Sequence, residues 1–156
     1  MTRICVQAVV GHPAETTERL LQAYMAERER GDGSIAIPLR IRFRGGRDDL
    51  GLAHDVLVRF RKGRDADNLN DTFYVDWEPS GRGPYPTFSG TMNVYAAPDP
   101  RESRLEIDGT YDAPGGGLGR FFDMLVGRRI ARASLLDLVE RIAGDLTPVA
   151  SSLTRR

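Results

Sequence analysis

Between Gly33 and Pro114 the chain alternates apolar and polar residues with a period of two in five separate runs. The runs are divided by the turn-rich segments "GGRDDLG", "KGRDADNLND", "PSGRGPYP" and "APDPRES". Short alternating runs joined by turns favour pairing between sequence neighbours, so the pattern predicts a meander of antiparallel strands. It also assigns two faces. One collects Ile37, Leu39, Ile41 and Phe43; Val56, Val58 and Phe60; Phe73, Val75 and Trp77; Phe88, Met92 and Val94; and Leu105, Ile107 and Tyr111. The other carries Arg40, Arg42, Arg44, Arg59 and Arg61 on the early strands, then Asp76, Glu78, Thr91, Asn93, Glu106, Asp108 and Thr110. Antiparallel pairing sets Arg59 and Arg61 near Asp76 and Glu78, at roughly 0.2–1 kcal/mol per cross-strand pair. The charged face therefore reads as a solvated sheet surface.

The segments flanking the meander complete the plan. "RICVQAVV" alternates as a strand. "GHPAETTERLLQAYMAERER" carries helix signals: Pro13 at a first-turn position, Glu15 and Glu18 early, Leu20, Leu21 and Tyr24 at helical spacing, and arginines late. Residues 115 to 146 form one long helix. Its many apolar residues, among them Phe121, Phe122, Leu125, Leu135, Leu138, Val139 and Ile142, belong against the sheet. The whole is a single domain over 1–146 with a frayed tail at 147–156, in a chain of 156 residues that suits one domain.

Composition narrows the function classes. Twenty-two basic residues balance twenty-two acidic ones, which removes the electrostatic footprint of a nucleic-acid binder. No run reaches the ~18 apolar residues of a membrane span, and the first residues lack the core of a secretory signal, so a cytoplasmic location is expected. Cys5 is the one cysteine and His12 and His54 the only histidines, which argues against a Cys/His metal site. Cys5 reads as a buried inert thiol, and His12 as a local cap or an exposed residue.

The glycines of "YDAPGGGLGRFFDMLVGRRIA" raise the question of a phosphate cradle. A Walker loop needs Gly-Lys-Ser or Gly-Lys-Thr at its end, and here Gly119 is followed by Arg120 and Phe121. The dinucleotide fingerprint fails at its third glycine, where Arg120 stands, and the preceding strands form a meander rather than a parallel βαβ unit. The glycines read as a sharp bend that lays the long helix back across the sheet.

These features together resemble the START/Bet v 1-like helix-grip superfamily, also called SRPBCC or polyketide cyclase-like. "DGTYDAPGGGLGRFFDMLVGRRIARASLLDLVERIA" looks like the lead-in to the final helix of bacterial members, and "VVGHPAETTERLL" is similar to the first strand and helix. The resemblance covers residue 4 to about residue 146 and implies an α+β fold, a curved antiparallel sheet of seven strands gripping the C-terminal helix around a ligand cavity. Six strands are legible, so a seventh would fall within residues 34 to 53. The superfamily shares no catalytic residue, and none is carried over.

Trp77, Phe88, Met92 and Tyr111 share the inward face and mark the expected ligand pocket, with Phe122 and Leu125 from the helix. His54 has the parity of Val56 and reads as a rim histidine. Arg128 and Arg132 either snorkel to the rim or enter the cavity to meet an anionic ligand group. The leading expectation is binding of a small apolar or amphipathic molecule without cofactor or covalent chemistry. The alternatives are a cyclase or dehydratase in which His54, Tyr111 or Asp123 moves a proton, and an interaction module with a filled core. A homodimer is compatible with either. The apolar stripe of the long helix rotates by roughly a quarter turn at Gly127, which predicts a bend or a change of packed face there. Gly127→Ala should accordingly lower the urea midpoint, whereas a straight, exposed site would gain roughly 0.4–1 kcal/mol.

Overall fold

The first and last alternating runs of the sequence pair with each other. The computed structural model describes residues 2–28, 34–42, 51–64, 71–79, 87–112 and 124–147. β1 (Thr2–Val10) lies antiparallel to β6 (Ser103–Asp112), with Thr2 opposite Tyr111 and Val10 opposite Ser103. The strands between them, β2 (Ser34–Arg42), β3 (Gly51–Arg64), β4 (Asp71–Pro79) and β5 (Thr87–Ala96), follow as a meander. The result is one six-stranded sheet in the order β1-β6-β5-β4-β3-β2. Among the described residues no seventh strand is found, and 43–50, where part of one was expected, lies outside them.

Strand β3 runs further than its turn signals indicate. "KGR" at 62–64 stays in the ladder, with Lys62 opposite Phe73, Gly63 opposite Thr72 and Arg64 opposite Asp71. Gly63 permits this because the Tyr74 ring lies where a side chain at 63 would stand. The Arg61 guanidinium sits 5.8 Å from the centre of the same ring.

The two faces separate as the period-two pattern requires. On the outer face Arg61 donates to Asp76 at 2.9 Å and Ser89 donates to the other Asp76 oxygen at 2.6 Å, so one carboxylate ties β3, β4 and β5 together. Arg59 stands 3.7 Å from Glu78, Gln7 donates to Glu106 at 2.5 Å, and Arg3 makes a two-pronged pair with Asp108. Hydrogen bonds from Arg3, and then its charge, hold the Asp108 carboxyl below its ordinary value. Because Arg3 is largely exposed, the pair fixes register more than it stabilises. On the inner face the register stacks three rows: Val58–Trp77–Phe88–Tyr111, Phe60–Val75–Gly90–Gly109–Ile4 and Phe73–Met92–Ile107–Val6.

Helix α1 (Ala14–Arg28) starts where the Pro13 carbonyl accepts from the Thr17 amide at 2.9 Å. Its buried stripe is Thr17, Leu21, Tyr24 and Met25, a 3.6-residue spacing. Thr17 is fully buried without loss because its hydroxyl shares a 2.7 Å hydrogen bond with the equally buried Ser103. That bond pins the helix start to the first residue of β6. Helix α2 (Met124–Leu146) buries Ala131, Leu135, Leu138, Val139, Ile142, Ala143 and Leu146. It runs unbroken through Gly127; residues 115–123 of the expected long helix, and the surroundings of Gly127, lie outside the described residues. At its far end both the amide and the hydroxyl of Thr147 bond the Ala143 carbonyl, next to Gly11. The first residue counted with the tail is thus held to the helix.

Helix α2 packs against β1, β2 and β6, and α1 against β5, β6 and α2. β1 and β2 are the two edges of the sheet. Five strand spacings separate them, about 24 Å on a flat sheet, whereas a helix is only about 10–12 Å across. One helix reaches both edges only if the sheet curls around it. Gly90 and Gly109 face each other on the inner side of the sheet. A side chain at Gly90 would collide with the Asp108 carbonyl and come within 2.7 Å of the Phe88 ring tip; one at Gly109 would come within 2.6 Å of that tip. The ring of Phe88 therefore fills the space that two missing side chains leave.

Gly90→Ala and Gly109→Ala should each lower stability in urea melts by about 1–3 kcal/mol, the range of overpacking. Gly144→Ala, on exposed helix with open space around it, should raise it by about 0.4–1 kcal/mol. A neutral Gly90→Ala would contradict the close approach.

Candidate functional site

The inner rows bring together four of the expected pocket residues, Trp77, Phe88, Met92 and Tyr111. Trp77, Phe88 and Tyr111 are consecutive partners across β4, β5 and β6, and all three are buried. The Trp77 and Phe88 rings lie 5.0 Å apart at 39°, a tilted contact worth about 0.5–1.5 kcal/mol beyond area burial. Met92 stands two rows further along β5, fully buried between Phe73 and Ile107. From the helix side Ala131, Leu135, Leu138 and Val139 are fully buried. Together these side chains form the core between α2 and the inner face of the sheet.

Chain direction gives the inner face two different ends. The Thr17–Ser103 bond and the end of α2 beside Gly11 mark one end, which α1 covers. The aromatic row lies toward the other end, near the last residues of β6 and the start of α2. Burial pushes the Tyr111 phenol above its ordinary value of 10.0, and the charge of Asp112 adds to the shift. At neutral pH Tyr111 is thus a neutral hydroxyl in an apolar row, suited to donating a hydrogen bond and not to taking a proton.

The remaining expected site residues divide. His54 sits opposite Leu39 in the β2–β3 ladder; its side chain, like that of Leu125 in the first turn of α2, lies outside the described residues, as do Phe122 and Asp123 altogether. Arg128 and Arg132 are exposed on α2.

Two expectations from the sequence are corrected. Cys5 is not buried: it is exposed on the outer face between Arg3 and Gln7, opposite Asp108. The signal was present, since Arg3, Cys5 and Gln7 share one parity and Ile4, Val6 and Val10 the other. Partial desolvation, and then the charges of Glu106 and Asp108, raise the thiol above its ordinary value. His12 is neither exposed nor a side-chain cap. It is half-buried, with Nε2 enclosed and without a hydrogen-bond partner among the described residues, and it is its backbone carbonyl that accepts from the Thr17 hydroxyl, at 3.3 Å. The reading of single residues also missed the Gly90–Gly109 pair, whose signal was a glycine at inward parity on each of two adjacent strands. Among the described residues no group of three His, Cys, Asp or Glu side chains is placed to hold a metal, and no described helix is long and apolar enough to cross a membrane.

No family model and no curated protein matches the chain. Solved structures do. A conserved protein from Geobacillus kaustophilus superposes with a TM-score of 0.52 at 11% identity, covering 93% of this chain and 95% of its own. The Zhui aromatase/cyclase from Streptomyces sp. R1128 gives 0.50 at 14% identity, covering 93% of each chain. A START superfamily protein from Mycobacterium smegmatis gives 0.49 at 14%, covering 92% of this chain and 96% of its own. The fold is the START/Bet v 1-like helix-grip fold: a curved antiparallel sheet closed on a C-terminal helix.

In an ultraviolet tyrosinate titration Tyr111 should ionise above its ordinary value of 10.0. Since the folded state favours the neutral phenol, the stability it contributes is present below that value and is lost as pH rises through it. Tyr111→Phe should remove the late step; an unchanged titration curve would show that the row is not desolvated.

Proposed function

We propose that the protein binds one small apolar or amphipathic molecule between α2 and the inner face of the sheet, without covalent chemistry. The observation that carries this reading is the position of the helix. Its backbone lies closest to the two edge strands and β6, while the largest inward side chains, Trp77, Phe88 and Met92, belong to the central strands that face it across the groove. Such an arrangement offers an apolar wall of aromatic and flexible side chains with the neutral hydroxyl of Tyr111 to orient a polar atom. A cytoplasmic location belongs to the same proposal.

The Streptomyces neighbour is named as an aromatase/cyclase. Ring-forming chemistry of that kind needs a group that moves a proton within the groove. Among the described residues the buried polar side chains are Thr17, Thr72, Ser103 and Ser134, with no carboxylate or imidazole among them, so binding is the better-supported reading.

Trp77 is the chain's only tryptophan and stands within the proposed wall. Titration with the neutral fluorophore N-phenylnaphthylamine should change Trp77 emission saturably, and native mass spectrometry should show one ligand per chain. Binding that leaves Trp77 emission unchanged would place the ligand elsewhere, and no saturable binding of any apolar probe would overturn the proposal.

A further inference from the structure

Helix α2 changes character along one azimuth. Residues seven apart on an α-helix point within about 20° of each other. Leu135 and Val139 are fully buried against the sheet; seven residues earlier on the same azimuths stand Arg128 and Arg132, and both are exposed. Ala131, between them, is fully buried, so the helix has not left the sheet at this point. The inward side of α2 therefore meets solvent at Arg128 and Arg132, toward the end of the inner face where the Trp77–Phe88–Tyr111 row lies.

The arginines at that opening differ from those on the outer face. Arg3, Arg59 and Arg61 each reach a carboxylate across a strand, and Arg141 reaches Asp137 one turn back at 3.3 Å. Among the described residues no carboxylate pairs with Arg128 or Arg132. Arg129 is exposed as well, but it stands seven residues before Leu136, a residue on the solvent side, and so points away from the groove. Two guanidiniums one turn apart, at the mouth of the proposed groove and without a carboxylate partner among the described residues, form a fork for a carboxylate or phosphate that remains at the water boundary while an apolar chain lies inside.

We infer that the ligand is an anionic amphiphile, its head group held by Arg128 and Arg132 at the opening and its apolar part packed against the inner rows. This rests on the groove proposed above, and it adds the charge and the direction of the ligand. A buried ion would have to be desolvated at several kcal/mol; a head group at the opening keeps its water and still gains charge-assisted hydrogen bonds.

The test compares probes with one tail and different heads, below their micelle concentrations: dodecanoate, dodecyl phosphate, dodecanol and dodecyltrimethylammonium. Wild type should bind the two anions about tenfold more tightly than dodecanol and the cation most weakly, with the preference shrinking as salt is added. Millimolar inorganic phosphate should not displace dodecyl phosphate. In the double variant Arg128→Gln, Arg132→Gln the ratio of dodecanoate to dodecanol affinity should fall toward one, while Arg129→Gln should keep the wild-type ratio. Because the ratio is read within each variant, a general weakening of the groove does not imitate the effect. Saturable binding of dodecanoate and dodecanol with equal affinity would overturn the head-group assignment and leave the groove standing. So would displacement by inorganic phosphate, or a preference that survives the double substitution. Charge preference seen only on anionic vesicles, and not with dissolved probes, would move the arginines to a membrane-docking role and overturn it too. No saturable binding of any of the four would remove the groove, and this inference with it.

Discussion

The contact of a single helix with both edges of a six-stranded sheet governs the rest of the structure. A helix is about half as wide as the sheet would be if flat, so the contact demands a curl, and the curl demands close approach between β5 and β6. Gly90 and Gly109 make that approach sterically open, and Phe88 folds into the space they leave. The same contact protects the sheet. β1 and β2 would otherwise offer unpaired backbone edges to other chains; with α2 packed against both, the edges most exposed to mispairing are the ones the helix covers.

Curling also separates the work of the two faces. The convex outer face carries alternating charges that neutralise one another across strands: Asp76 joins three strands through Arg61 and Ser89, and Arg3 and Gln7 clasp β6 through Asp108 and Glu106. None of these exposed pairs contributes much stability alone. Their effect is to hold register, and a slip of one residue would turn every inward side chain outward. Cys5 lies on this surface, where partial desolvation and then the carboxylates that match Arg3 and Gln7 push its thiol up. The concave face is left to apolar contact, and its polar groups are few and placed at the ends: the Thr17–Ser103 hydroxyl pair beside α1, and Tyr111 toward the opening. The groove proposed here, closed at one end and cationic at the other, rests on that division.

The strands, their faces and the amphipathic stripes of both helices were legible in the sequence, because each depends on residue period alone and period is local. The pairing of Arg59 and Arg61 with Glu78 and Asp76 was legible for the same reason: in a meander, neighbouring strands face each other. The inward set Trp77, Phe88, Met92 and Tyr111 follows from parity. Tertiary structure decided what depends on residues distant in the chain. Parity could not tell that Trp77, Phe88 and Tyr111 would fall in one row while Met92 stood two rows away, since register is set between strands. Nor could it tell that two inward glycines would be direct partners, or that β3 would continue through "KGR" because Tyr74 covers Gly63. Arg128 and Arg132 lie on a helical azimuth that the sequence reads as inward; their exposure follows from where the curled sheet stops along α2, and that depends on the length and curvature of six strands folded together.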